Sequence, residues 1–466
     1  LQGHREALGH ANSGNFLSIV ELLAKYGPVL KQLVSMPSGS IRYFSHTIQD
    51  ELIEVLSKRI EESIVKEIKA APFFSVIMDT TQDISKTDQL SQIFRNVTIE
   101  KDERNVATGV KVNESFLGFQ EICDQSASGL EKKIISCIEQ KDLDISKCRG
   151  QGYDGASNMS GVYSGMQARI SKKEPNAEYV HCATHNLNLT LNDSVRGIPE
   201  FRIVLLSKSA DERLKKLMEN LSFVFLIVLQ TKILETVNAV SKLLQSKDTD
   251  LYKAAKLLCK ATEDLSTFQN NFKEAKNSAI KLSEKWGGQT KSEEKHVRKA
   301  KRHFDKLCED ERLADSESFF KLNVFYTCLD IINAQLSNRF QSLQAVVDKF
   351  SVIQPNTLIS ASDEDLYKEA EKLANQFNKD ISPAFPRQLL SFRSCLKSEI
   401  SKQSSVKDLA NMLIVDSNAL ASSFSEVCTV FLLFLTIPVT VASAERSFKL
   451  KLIKNYLGST MGQERL

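Results

Sequence analysis

The chain has 466 residues, 42% hydrophobic and 26% charged, which excludes wholesale disorder and exceeds one ordinary core. Eighteen glycines and nine prolines exclude collagen-like and low-complexity classes. A net charge of +3 provides no global positive field, so any binding of nucleic acid must come from local patches.

Nine cysteines, with no CxxC pair among them, read as reduced intracellular thiols rather than a disulfide framework or a zinc ribbon. The first residue is Leu and no secretory pattern follows it, so the expectation is a piece of a longer product.

Residues 1–70 read as helical. Apolar residues recur at helical spacing over Asn15–Leu33 and again over Ile48–Ile68. The period then changes. Phe73–Asp79 (FFSVIMD) is a short apolar run between Pro72 and a Thr-Thr-Gln-Asp cluster, the pattern of a buried strand and a turn. Leu90–Glu100 and Val112–Ile122 read as two more strands, joined by the KDERN turn at 101–105. An amphipathic helix over 126–140 is opened by Ser126 or Ser128. A glycine-rich strand end and loop (CRGQGYDGASNMSG, 148–161), a helix (161–173) and a fifth strand opening at Tyr179 complete this part.

Three strands in a meander, followed by strands alternating with helices, predict a mixed five-stranded α/β sheet with parallel additions. This is the order of the ribonuclease H-like fold. From about 195 to 425 the pattern is helical throughout, with no fixed repeat. Val427–Ala444 is an uncharged apolar stretch of near membrane-spanning length. Pro438, three Thr and a Ser interrupt it, and the reading is a buried core helix ending near Pro438, with no membrane span.

Three acids stand out. Asp79 ends the first strand, Asp154 ends the glycine-rich strand, and Glu445 lies on a helix beyond Pro438. Each alone has an ordinary reading, as a turn-forming Asp or a Glu near a helix start. Together, two aspartates on neighbouring strands and an acid on a helix form the set that holds Mg²⁺ or Mn²⁺ for phosphoryl transfer. The phosphate-loop reading of 148–161 lacks its GxxxxGK[ST] signature. Lys295, Arg298, Lys299 and Arg302 would share one face of a helix and contact phosphates, or form a solvated face mixed with Glu293, Glu294 and Asp305.

The segments FFSVIMDTTQDIS, CRGQGYDGASNMSG, HCATHNLNL and LLFLTIPVTVASAERSF, in this order, resemble the hAT superfamily of cut-and-paste DNA transposases. Within it the chain is most similar to the transposon-derived, zinc finger MYM-type protein 1-like group. The resemblance implies a ribonuclease H-like core split by a helical insertion, with Asp79, Asp154 and Glu445 as catalytic and metal-binding acids. It places the family's Cys-x-x-His element at Cys182 and His185, near the active site or bound DNA. A buried Cys beside a hydrogen-bonded His is the plain alternative. It also implies DNA as partner, a homodimer or higher oligomer through the C-terminal region, and a nuclear location.

The domains expected are a helical segment (1–70), the first part of the core (71–195), an α-helical insertion (196–425) and a truncated dimerisation region completing the core (426–466). Departures from the family pattern are plain. No Thr-Arg-Trp segment opens the insertion, the only tryptophan is Trp286, and the helix after Glu445 runs one residue short beyond Phe448. They imply a catalytically degenerate strand-transfer core. The alternative is a domesticated, non-catalytic, dimerising protein that binds DNA or regulates transcription.

Overall fold

A computed structural model describes residues 14–37, 40–82, 86–155, 157–161, 163–196, 218–290 and 316–448. The chain divides into two compact units, Leu1–Ala70 and Ala71–Leu466. In the first unit, the helical run expected over Asn15–Leu33 is two helices, Gly14–Ala24 and Pro28–Val34. Gly27 is extended and Pro28 stands at the first helical position, where its missing N–H costs nothing. The longer helix His46–Ala70 follows.

The second unit is built on one sheet of five strands: β1 (Phe74–Gln82), β2 (Asp88–Lys101), β3 (Ala107–Glu121), β4 (Cys148–Tyr153) and β5 (Glu178–His181). Their order is β3-β2-β1-β4-β5. β1 and β3 run antiparallel to β2, whereas β4 runs parallel to β1 and β5 parallel to β4. The mixed five-stranded sheet is therefore the one expected. β3 starts at Ala107, five residues before its sequence pattern, and Gly118, at φ 137°, carries it through a bulge opposite Gln92 and Ile93.

Side chains alternate across the sheet. On one face, Cys137 of helix Ala127–Gln140 hydrogen-bonds Gln92, and Gln151 bonds Ser171 of helix Met166–Lys173. On the other face, Ser91 and Arg95 meet the C-terminal part of the chain. Arg95 Nε donates to Leu435 O at 3.1 Å, and its guanidinium pairs with Glu114 at 2.6 Å with both side chains buried.

The region between β5 and the C-terminal segment is helical wherever it is described. Its longest helices are Leu221–Leu244, Leu251–Asn270, Phe272–Trp286 and Phe385–Ile400. Their apolar faces share one core with Val97, Val110, Val112 and Val180 of the sheet. The Leu221–Leu244 helix is long and apolar enough to cross a membrane by length and composition, but ten of its side chains are buried in this core. Helix Ser425–Thr436 is buried as well and stops two residues before Pro438.

Arg149 of β4 fixes the insertion to the sheet. Its guanidinium makes two hydrogen bonds to Asp380 (2.6 and 2.7 Å) and lies over the ring of Phe73, at 2% exposure.

Candidate active site

The sheet register brings the two aspartates level. Ile77 of β1 pairs with Gly152 of β4, and each acid follows its strand partner by two residues. Asp79 therefore lies level with Asp154, the residue after β4, on adjacent parallel strands whose spacing is about 4.8 Å; it does not end its strand as the sequence pattern predicts, because β1 runs on to Gln82 in register with β2. The glycines of the 148–161 motif have a packing reason. Pro438 crosses directly over β4, so a Cβ on Gly150 would meet Pro438 Cδ at 2.7 Å and one on Gly152 would meet Pro438 Cγ at 3.1 Å. These glycines make room for the C-terminal segment rather than for a phosphate.

That segment delivers the third acid. After Pro438 the chain forms helix Ala442–Ser447, which carries Glu445 and packs on β1, β2 and β3. Ser447 Oγ lies 2.6 Å from Ser91 Oγ, and Ser91 is the β2 partner of Asp79. A small apolar cluster of Ile77, Ile93, Cys182, Val441 and Ala444 underlies the site.

The three acids feel one another. Asp79 is pushed up to about 7, first by burial and then by the charge of Asp154, with Glu445 adding to the rise; the N–H of Thr80, at 2.9 Å, opposes it. Glu445, on the open rim, is also raised by the crowding around its carboxyl and by Asp154, while His185 and Arg446 pull it down.

Cys182 and His185 serve different ends. Cys182 is 1% exposed, and its sulfur accepts the N–H groups of His185 (3.4 Å) and Val441 (3.3 Å). It opens helix Ala183–Arg196 and ties that helix to the turn before Glu445. A sulfur so buried has no surface to offer DNA, so this Cys holds the site together from within. His185 stands in the first helical turn and bears electrostatically on Glu445.

His181 is a site residue that the sequence reading passed over. It ends β5, and its Nε2 is buried without a hydrogen-bond partner. A Cβ on Gly155 would meet that nitrogen at 2.6 Å, so the turn just after Asp154 rests on the imidazole. Burial, then His185, lowers His181 to about 4, which keeps the ring neutral near pH 7. Its one sequence signal is its place immediately before Cys182.

Lys295, Arg298, Lys299 and Arg302 lie outside the described residues. Trp286 ends an insertion helix whose cap, Gly287, is left-handed.

Two crowded carboxylates with hard oxygen donors fit a magnesium-type ion at Asp79 and Asp154. The set of three does not close: among the described residues, no three His, Cys, Asp or Glu side chains are grouped to hold a metal ion.

A mixed sheet in this order, with one aspartate on β1, another just after β4 and an acid delivered by a C-terminal helix after a long helical insertion, is the ribonuclease H-like arrangement. Comparison with known families agrees. Residues 1–165 match the "ZMYM1/FAM200, RNase-like domain", and residues 386–466 match the "hAT family C-terminal dimerisation region". Two segments of the chain thus match domains of hAT transposase-derived proteins. It is similar to the "52 kDa repressor of the inhibitor of the protein kinase" of Homo sapiens, with 29% identity over 183 residues. The Mus musculus counterpart shows the same 29% identity. The match takes in 39% of this chain and 23% of each relative, less than a quarter of their length.

Proposed function

We propose that this chain is a transposase-derived protein of the nucleus that binds DNA and associates with itself, and whose strand-transfer chemistry is degenerate. One observation carries the reading. The two aspartates stand together, and the third acid is delivered beside them, yet the three do not close into one metal-holding group. The missing Thr-Arg-Trp segment agrees with this. So does the name of the relatives, which describes a repressor. Self-association is supported by the match to the dimerisation region.

A second reading has its own support. Asp79 and Asp154 are crowded enough to raise Asp79, and a divalent cation would relieve that crowding. Held there, Mg²⁺ or Mn²⁺ would activate a water or a 3′-hydroxyl for attack on a phosphodiester. The contribution of the chain is to hold the two carboxylates level, the His181 ring under the turn after Asp154, and Glu445 at the rim.

One assay separates the readings. DNA carrying the element's own terminal repeats is incubated with Mn²⁺ or Mg²⁺ and either the wild type or Asp79→Ala. Equal cleavage by both, at background, supports the degenerate core. Cleavage that Asp79→Ala abolishes overturns it in favour of an active enzyme. Self-association is read by light scattering on the full chain. Truncation after Phe448 tests the tail, because helix Ser425–Thr436 belongs to the core and its loss would unfold the protein. A monomeric full chain would remove the dimerisation claim.

A further inference from the structure

A cleft of about 840 Å³ opens on the same face of the sheet as the acids, on the far flank of helix Ala442–Ser447. Its floor is Ile93 and Phe116, cross-strand partners on β2 and β3. One wall is helix Ala442–Ser447, through Ser443, Arg446 and Ser447. The opposite wall is the 245–248 turn of the insertion, including Lys247. Both acids at the cleft are already neutralised. Glu114 is held by Arg95 and Ser443, and Asp248 pairs with Lys407 at 2.5 Å. Arg446 and Lys247 are exposed, and each bears electrostatically on the acid beside it, Arg446 on Glu445 and Lys247 on Asp248. Arg446 is steadied by hydrogen bonds to Gln245 O (3.2 Å) and Ser443 Oγ (2.9 Å), which use two of its five N–H donors.

We infer that this cleft holds a single strand of DNA, its phosphates on Arg446 and Lys247 and a base or sugar against Phe116. The inference rests on the DNA-binding reading above and gives it a location. Two exposed cations beside a half-buried aromatic ring form the combination that grips single strands, with charge for the backbone and a flat face for the bases. A cleft of about 840 Å³ takes a few nucleotides of one strand. The Arg446 guanidinium suits a phosphate as a planar fork, and Lys247 suits it as a point charge. Arg446 directly follows Glu445, so a strand seated here lies beside the rim of the acid site.

The test is fluorescence anisotropy of the full chain with a labelled oligothymidine in EDTA, so that no metal chemistry enters. The double variant Lys247→Ala/Arg446→Ala is expected to bind about tenfold more weakly or worse. Its plot of log K against log salt is expected to be shallower by about 1.4, or about 0.7 for each cation lost. Lys247→Arg/Arg446→Lys is expected to keep most of the affinity, and Phe116→Leu to weaken binding with no change in salt slope. Both cations are exposed and only the two surface hydrogen bonds of Arg446 are lost, so the melting temperature should move little. A double variant with wild-type affinity and slope overturns the inference, as does an equal loss on duplex DNA. A wild type that binds no DNA at all sinks the DNA-binding reading itself, a separate outcome.

Discussion

Ser91 of β2 and Ser447 of the last described helix share a hydrogen bond of 2.6 Å, although 356 residues separate them. The contact matters because Ser91 is paired across the sheet with Asp79, while Ser447 lies two residues from Glu445. The distance between the first and third acids is thus set by one hydroxyl pair and the apolar cluster beneath it. The long insertion leaves the sheet after β5 and returns to it at Pro438. Its return is registered by Gly150 and Gly152 at Pro438, by Cys182 at Val441 and by Ser91 at Ser447. The site is the place where the two ends of the core are rejoined, so its geometry and its stability are one problem.

Asp79 makes that coupling measurable through pH. Its folded-state value, about 7, lies above its ordinary 3.8. Between those values the folded chain holds the proton more tightly than the unfolded chain does. Stability from this group is therefore fully present below pH 3.8 and is lost as pH rises through 7. Asp79→Asn lacks that loss. In metal-free buffer its melting temperature should exceed that of the wild type at pH 8 by an amount reflecting roughly 2–4 kcal/mol, and the gap should shrink toward pH 5. Added Mg²⁺ or Mn²⁺ should raise the wild type at pH 8 and leave the variant unchanged. A gap that is constant with pH would show that the crowding of the carboxylates is not felt.

Cys182 should be chemically silent and structurally costly to change. Burial pushes its thiol up to about 11, so it should resist alkylation in the native state at pH 8. The exposed Cys123, Cys259 and Cys395 should react. Cys182→Ala leaves the N–H groups of His185 and Val441 without their acceptor, which should cost about 1–3 kcal/mol in urea denaturation. Cys182→Ser should recover part of this. Rapid native-state labelling of Cys182, read by mass spectrometry, would contradict its buried place.

The sheet was legible in the sequence because its signals are local. FFSVIMD is apolar and carries Val and Ile, and its shortness and its flanks, Pro72 and a turn cluster, separate it from a buried helix. The break at Gly27-Pro28 was equally local, and the apolar spacing across it masked it. The glycines of 148–161 were visible, but their reason was not, because it lies in Pro438, hundreds of residues away along the chain. His181 had no pattern of its own. A histidine at a strand end reads as any other until the turn after Asp154 is seen to rest on it. That Asp79, Asp154 and Glu445 form one set was expected only through the family resemblance, since nothing in their spacing brings them together, and the described residues do not close them into one metal-holding group.

The contact between Gly152 and Pro438 can be isolated by a double-mutant cycle. Gly152→Ala places a methyl 3.1 Å from Pro438 Cγ, tighter than ordinary packing, and should destabilise the protein by about 1–3 kcal/mol. Pro438→Ala removes that atom. In the double variant the two costs should add to less than their sum, with a coupling of about 1 kcal/mol. Simple additivity in urea denaturation would mean that the returning segment does not bear on β4.

Arg149 is expected to be the most costly single change in the second unit. Its guanidinium holds Asp380 through two hydrogen bonds and lies 3.7 Å from Glu174, itself 2% exposed. Arg149→Met keeps much of the volume over Phe73 but leaves Asp380 buried without its cation and Glu174 with only Lys379, at 4.0 Å. Removing one partner of such a group costs about 3–5 kcal/mol. The triple variant Arg149→Met/Asp380→Leu/Glu174→Gln removes the stranded charges together and should recover most of that loss. Thermal denaturation near neutral pH distinguishes the cases. If Arg149→Met alone melts with the wild type, the link between β4 and the insertion is not carried by this ion pair, and the insertion is held to the sheet by the shared apolar core instead.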